Sequence, residues 1–90
     1  MSYDPAKRTL NLRKHAIDLA ECEAIFDEPM LTREDDREAY REQRLISLGW
    51  LKERVVVLVW VDREDGPHLI SCREGETHEQ EAYFRAFPKT

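Results

Sequence analysis

The sequence predicts a small single α+β domain, with an antiparallel sheet of three to four strands packed against two N-terminal helices and one C-terminal helix. Three observations carry this. Val55-Val56-Val57-Leu58-Val59-Trp60-Val61 is apolar on both alternations, which marks a central strand covered on both faces. Capping residues open helical stretches at both ends of the chain. Ninety residues with 41% apolar side chains support one core, so residues 1–90 form one domain.

Each element follows in order. The first helix runs from Pro5 to about Lys14. Asp4 caps it by accepting from free amides of the first turn, and Pro5 takes the position that needs no amide donor. A second helix begins at Asp18. Asp18-x-x-Glu21 fits a capping box, Ile17 is set to staple onto Cys22, and Leu19, Cys22, Ile25 and Phe26 form an apolar stripe at helical spacing. Pro29 ends it, because the residue before a proline avoids the α region. Ser2-Tyr3 and Met30-Leu31-Thr32 are candidates for one extra strand. Arg33–Gln43 is dense in charge, with Tyr40 its only large apolar group, and reads as a solvated loop or loose hairpin, or else as a docking surface. Arg44–Gly49, a turn at Lys52-Glu53, the Val55–Val61 run, an acidic turn over Asp62–Pro67 and a strand over His68–Arg73 make an antiparallel meander. Gly75 breaks the chain. Thr77-x-x-Gln80 then offers a capping box, Ala82, Tyr83, Ala86 and Phe87 give the last helix one apolar side, and Pro88 stops it.

Composition excludes several classes. No stretch approaches the ~20 apolar residues that cross a bilayer, and the N-terminus lacks the apolar core of a signal peptide, so a soluble intracellular protein is expected. Cys22 and Cys72 match no zinc spacing and are too few for a disulfide scaffold, which leaves reduced, buried thiols. Neither His68 nor His78 has a partner at ligand spacing, and no metal or cofactor is expected. The net charge of −5 counts against a simple nucleic-acid binder. The charge is uneven, however. Lys7, Arg8, Arg13 and Lys14 face only Asp4 and Asp18 within residues 1–20, whereas residues 21–42 are crowded with Glu and Asp. A basic patch on an acidic body is expected, and that body suits a basic protein partner.

The opening helix carries the clearest candidate chemistry. Lys7, Asn11 and Lys14 are spaced i, i+4, i+7 and share a narrow arc of helix surface. Two ammonium groups flanking an amide make a grip for a phosphate, and the bland counterpart is a solvated helix face. His15 follows at the helix end. It is either a group that moves protons near neutral pH or a cation favoured by the helix dipole. Arg73 ends a strand and is placed to present its planar fork to a phosphate. The competing reading is a salt bridge to Glu74 or Glu76. Arg44 opens the neighbouring region of sheet and, with that pairing, shares a face with Arg73.

Asp4-Pro5-x-Lys7-x-x-x-Asn11-x-x-Lys14-His15 resembles the opening of BrnT-type toxins, small bacterial ribonuclease toxins of type II toxin–antitoxin pairs. The resemblance continues through Ala24–Pro29, Arg44–Gly49 and Leu69–Arg73, and ends with a C-terminal helix carrying Glu79 and Tyr83. It implies a RelE-like fold, cleavage of RNA phosphodiester bonds without metal, and a cytoplasmic location. It also implies a BrnA-type antitoxin whose ribbon-helix-helix part binds operator DNA, so that DNA binding belongs to the complex. On this basis Arg73, Arg44 and His15 are the catalytic candidates, and Lys7, Asn11, Lys14 and Tyr83 the substrate-binding ones. Tyr83 is either core or a platform for a base. One departure stands out. Glu74 lies where a lysine is common in the family, and it places repulsion beside the expected phosphate site. That departure supports an alternative, a catalytically impaired binding module that only docks its antitoxin.

Overall fold

The computed structural model describes residues 1–89. The Asp4 carboxylate accepts the Ala6 N–H at 2.8 Å, and α1 runs from Pro5 to His15 as the cap chemistry predicts. Five strands follow the sequence as β1 (Ser2–Tyr3), β2 (Leu31–Asp35), β3 (Arg44–Leu51), β4 (Arg54–Arg63) and β5 (Gly66–Glu74), and α2 spans Thr77–Ala86. The sheet order is β1-β5-β4-β3-β2, so the apolar β4 is central, as its sequence demands.

Two expectations about the sheet are corrected. It has five strands rather than three or four, since both candidate extra strands form. It is mixed, because β1 pairs parallel to β5 through Ser2–His68 and Tyr3–Leu69. Between β1 and β5 the chain passes through α1, the 3₁₀ helix and β2–β4, a connection long enough for a parallel pair. The other three pairings are antiparallel.

The second helix is 3₁₀ rather than α, over Leu19–Asp27. Its buried residues explain why. Leu19, Cys22 and Ile25 are all 0% exposed and recur every third position, which matches three residues per turn. Phe26, one step beyond, is only half-buried and packs edge-on to Trp60 at 4.9 Å. Arg8 ties α1 to the start of this helix with a bidentate pair to Asp18 (2.7 and 2.8 Å), which holds the Asp18 carboxyl down at about 2.

The charged stretch is a solvated loop over 36–43, irregular and mostly exposed, but its first three residues are strand. β2 extends through Arg33 to Asp35, whose carboxylate is fully buried. Asp35 accepts from Arg37 Nε (2.7 Å), Nη2 (2.8 Å) and the Arg37 backbone N–H (3.3 Å), and these bonds hold its pKa at about 2. In α2 the cap lies one residue earlier than expected. Glu76 is the cap residue, and the Glu79 carboxylate accepts its N–H at 2.8 Å, while Gln80 donates to the Gly75 carbonyl.

The helices cover opposite sides of the sheet. Ile17, the 3₁₀ stripe, Val56, Leu58, Trp60, Leu69 and Cys72 form the main core beneath α1 and the 3₁₀ helix. Gly49 permits that contact, since a Cβ there would stand 2.4 Å from Ile25 Cγ2. On the other side α2 covers only one end of the sheet, where Tyr83 stacks on Trp50. The remainder of that second face stays open.

Candidate active site

Cross-strand register defines the open face, because residues directly opposite one another project to the same side. One rung is Arg33–Ile46–Val59–Ser71 and the next is Leu31–Leu48–Val57–Arg73. A bulge in β5 sets this arrangement. Val59 pairs with Ser71 and Trp60 with Leu69, which leaves Ile70 as the extra residue. The bulge puts Leu69 and Cys72, three apart, both in the core. It also puts His68 and Arg73, five apart, on the open face, where strict alternation would separate them.

Beyond Leu69 no strand lies outside β5, and α1 fills that place. Asn11 is buried, and its side chain acts as a strand partner. Its Nδ2 donates to the Ile17 carbonyl (2.8 Å) and the Cys72 carbonyl (2.9 Å), while its Oδ1 accepts the Cys72 N–H (2.9 Å). The backbone groups of an otherwise bare edge are thereby satisfied. The last turn of α1 is thus fixed at the rim of the open face.

A hollow of about 280 Å³ forms there, with Val57, Val59 and Ile46 as its floor. Lys14, His15 and Arg73 meet in it, joined by Arg33 and Arg37 from the charged segment and by Glu79 from α2. Glu79 binds Arg73 end-on, with Nη1 to Oε1 and Nη2 to Oε2 each at 2.8 Å, and Arg73 Nη1 also donates to the Glu74 carbonyl at 3.2 Å. Hydrogen bonds from Arg73 hold Glu79 at about 2 against the opposing effect of burial, and the Arg73 pKa rises in return. The side edge of Arg73, Nε–H with the second Nη2 N–H, has no partner among the described residues. Such an edge suits two oxygens of one phosphate. Burial, followed by the charges of Lys14 and Arg73, lowers the pKa of His15 below its ordinary value. The imidazole is therefore neutral at pH 7 and available as a base.

The candidates divide. Lys14, His15 and Arg73 converge. Arg44 does not line this hollow; it stands on the same face farther along, over the Tyr40 ring at 4.1 Å, and shares a neighbouring hollow with Lys7. Asn11 has all its hydrogen-bonding groups engaged within the fold, so its place in the grip is corrected to holding α1 against β5. Tyr83 is corrected likewise. It is fully buried between Trp50 and Phe87, with its hydroxyl donating to the Pro29 carbonyl at 3.1 Å, and no ring face is open to a base. Glu74 lies across from Val56, which belongs to the core side, and pairs with Arg54 at 3.8 Å rather than facing the hollow. The expected partners of Arg73, Glu74 and Glu76, give way to Glu79. Arg33, Arg37 and Glu79 were absent from the sequence-based site. The alternation Leu31-x-Arg33-x-Asp35, which continues a strand into the charged run, was the signal for Arg33.

Among the described residues no group of three or more His, Cys, Asp or Glu is placed to hold a metal, and no helix is long and apolar enough to cross a membrane. Cys22 and Cys72 are free and buried, with the Cys72 pKa raised by the neighbouring Cys22 thiol and by burial. No curated protein sequence matches the chain. The family model described as ribonuclease toxin, BrnT, of type II toxin-antitoxin system matches residues 3–79. With most of its length matched, this chain belongs to the BrnT family of ribonuclease toxins.

Proposed function

We propose that the hollow between α1 and β5 cleaves RNA by internal attack of a 2′-hydroxyl on the adjacent phosphate, without a metal. Neutral His15 takes the hydroxyl proton as the 2′-oxygen bonds to phosphorus. The free edge of Arg73 binds two oxygens of the crowded phosphorane, where added negative charge collects. Lys14, an ammonium on the same rim, has a proton to give the departing 5′-oxygen. Glu79 holds the Arg73 fork in one orientation, and Arg33 adds positive charge to the rim, where the Arg37 charge is taken by Asp35. The observation that carries this reading is the meeting of Lys14, His15 and Arg73 in one anion-sized hollow.

The experiment is degradation of a defined RNA by the purified protein without divalent cations. Arg73→Ala is expected to lose about 10²–10³-fold in rate, as for removal of an oxyanion donor. His15→Ala is expected to lose about 10²–10⁴-fold. Equal rates for Arg73→Ala and the parent chain remove Arg73 from the mechanism.

Family membership implies an antitoxin partner. The reading extends to a BrnA-like ribbon-helix-helix partner that carries operator binding, to a cytoplasmic complex, and to a RelE-like relation of fold. One observation favours a second reading. Glu79 neutralises Arg73, which suits an inert module that only docks its antitoxin. Growth arrest on expression without a partner excludes the inert module, whereas normal growth together with intact RNA supports it.

A further inference from the structure

Two further hollows extend from the Arg73 site, each sharing lining residues with the one before it. The middle one, about 460 Å³, lies between α1 and Ile70-Ser71 and shares Lys14, His15 and Ser71 with the Arg73 hollow. The far one, about 300 Å³, shares Lys7 and Ile70 with the middle one and adds Arg41, Arg44 and His68. Lys7 and Lys14 are separated by roughly 10.5 Å along α1, at ~1.5 Å per residue. Arg44 precedes Leu48, on the rung of Arg73, by four residues, a stagger of roughly 13 Å along the strands.

The far hollow is cationic within an acidic protein. Lys7, Arg41, Arg44 and Arg63 line it against Asp4 and Glu42. Glu42 is taken by Arg63 in a bidentate pair of 2.7 and 3.0 Å, and Asp4 caps α1. Among the described residues Lys7, Arg41 and Arg44 enter no ion pair. The Arg44 guanidinium carbon lies over the Tyr40 ring at 4.1 Å, and Ser2 Oγ lies 2.8 Å from His68 Nδ1. Between the two cationic ends the middle hollow exposes Leu10 (54%) beside Ile70, with Arg13 also on its wall. Positive charge at intervals, with apolar surface between, matches a ligand whose phosphates recur along a flexible backbone and whose bases offer apolar faces.

We propose that α1 and the outer edge of β5 form a track for an unpaired RNA strand, on which Lys7 and Arg44 grip a phosphate remote from the reactive one. The proposal rests on the ribonuclease reading of the Arg73 hollow and adds to it how the strand is held.

The test uses the full chain and uncleavable 2′-O-methyl RNA, as a dinucleotide and as a hexanucleotide, with affinity measured by fluorescence anisotropy across a salt series. The double variant Lys7→Met/Arg44→Gln is expected to weaken the hexanucleotide at least tenfold more than the dinucleotide. Its log K against log salt slope for the hexanucleotide should shrink by about 0.7, the value for one single-strand phosphate contact. Lys7→Arg/Arg44→Lys, which keeps both charges, should restore most of the preference. Equal weakening at both lengths overturns the track. Turnover of a cleavable strand separates this outcome from failure of the underlying reading. An inert protein that prefers the hexanucleotide through Lys7 and Arg44 keeps the track and loses the nuclease. A protein that cleaves without that preference keeps the nuclease and loses the track.

Discussion

Asn11 shows how one side chain places a helix end beside a candidate site. Three hydrogen bonds, to Ile17 and both backbone groups of Cys72, fix the last turn of α1 beside Arg73. Asn11→Ala leaves those buried backbone groups without partners, and a loss of about 2–4 kcal/mol in urea unfolding is expected. A loss near zero would show that water replaces the amide. His15 depends on the same placement. Burial and the Lys14 and Arg73 charges keep its folded pKa below 6.5. The folded state therefore binds fewer protons than the unfolded chain between that value and 6.5, and stability falls as pH drops through this window. Removing a cationic neighbour must raise the pKa. NMR titration of Arg73→Gln should find His15 shifted upward from the parent value, and an unchanged titration would separate the two residues electrostatically.

At the scale of elements, the hairpin between β3 and β4 carries avoidable strain. Lys52 and Glu53 sit at φ 49° and 65° in a two-residue turn with no glycine. A left-handed conformation costs ~1–2 kcal/mol for an ordinary residue, and glycine avoids that cost at the expense of extra unfolded-state freedom. Glu53→Gly is therefore expected to gain about 0.5–1 kcal/mol, read as a higher Tm; a lower Tm would show that the turn is not strained. The sequence located this turn, the central β4 and both α-helices, because hydrophobic period and capping chemistry are local. It did not show the 3₁₀ geometry, although Leu19, Cys22 and Ile25 fit a period of three, since Phe26 completed an α-like stripe. Nor did it show the Ile70 bulge, which depends on pairing with β4 and decides which β5 residues face the hollow. Lys14, His15 and Arg73 were legible as candidates that line one hollow. Arg33, Arg37 and Glu79 were not, because their roles come from the buried Asp35 carboxylate and the start of α2, both set by tertiary contact.

Across the whole molecule, a net charge of −5 surrounds a groove lined by lysine and arginine, and the two act at different ranges. The longest extent is 37 Å. At ~0.01 M salt the Debye length is ~30 Å, so an approaching RNA strand feels nearly the whole acidic body. At ~0.15 M it is ~8 Å, and only the groove beneath the strand remains visible. On the proposed RNA track, long-range repulsion governs encounter, whereas contacts by Lys7, Lys14, Arg44 and Arg73 govern departure. The association rate should therefore rise between these salt concentrations, while the dissociation rate rises more steeply and affinity still falls. A basic RNA-binding protein shows the reverse in its association rate. Stopped-flow measurement with an uncleavable oligonucleotide reads both rates separately. An association rate that falls steeply with salt would mean that the field of the groove overcomes the acidic body at every distance, and that the remainder of the surface has no part in choosing what reaches the site.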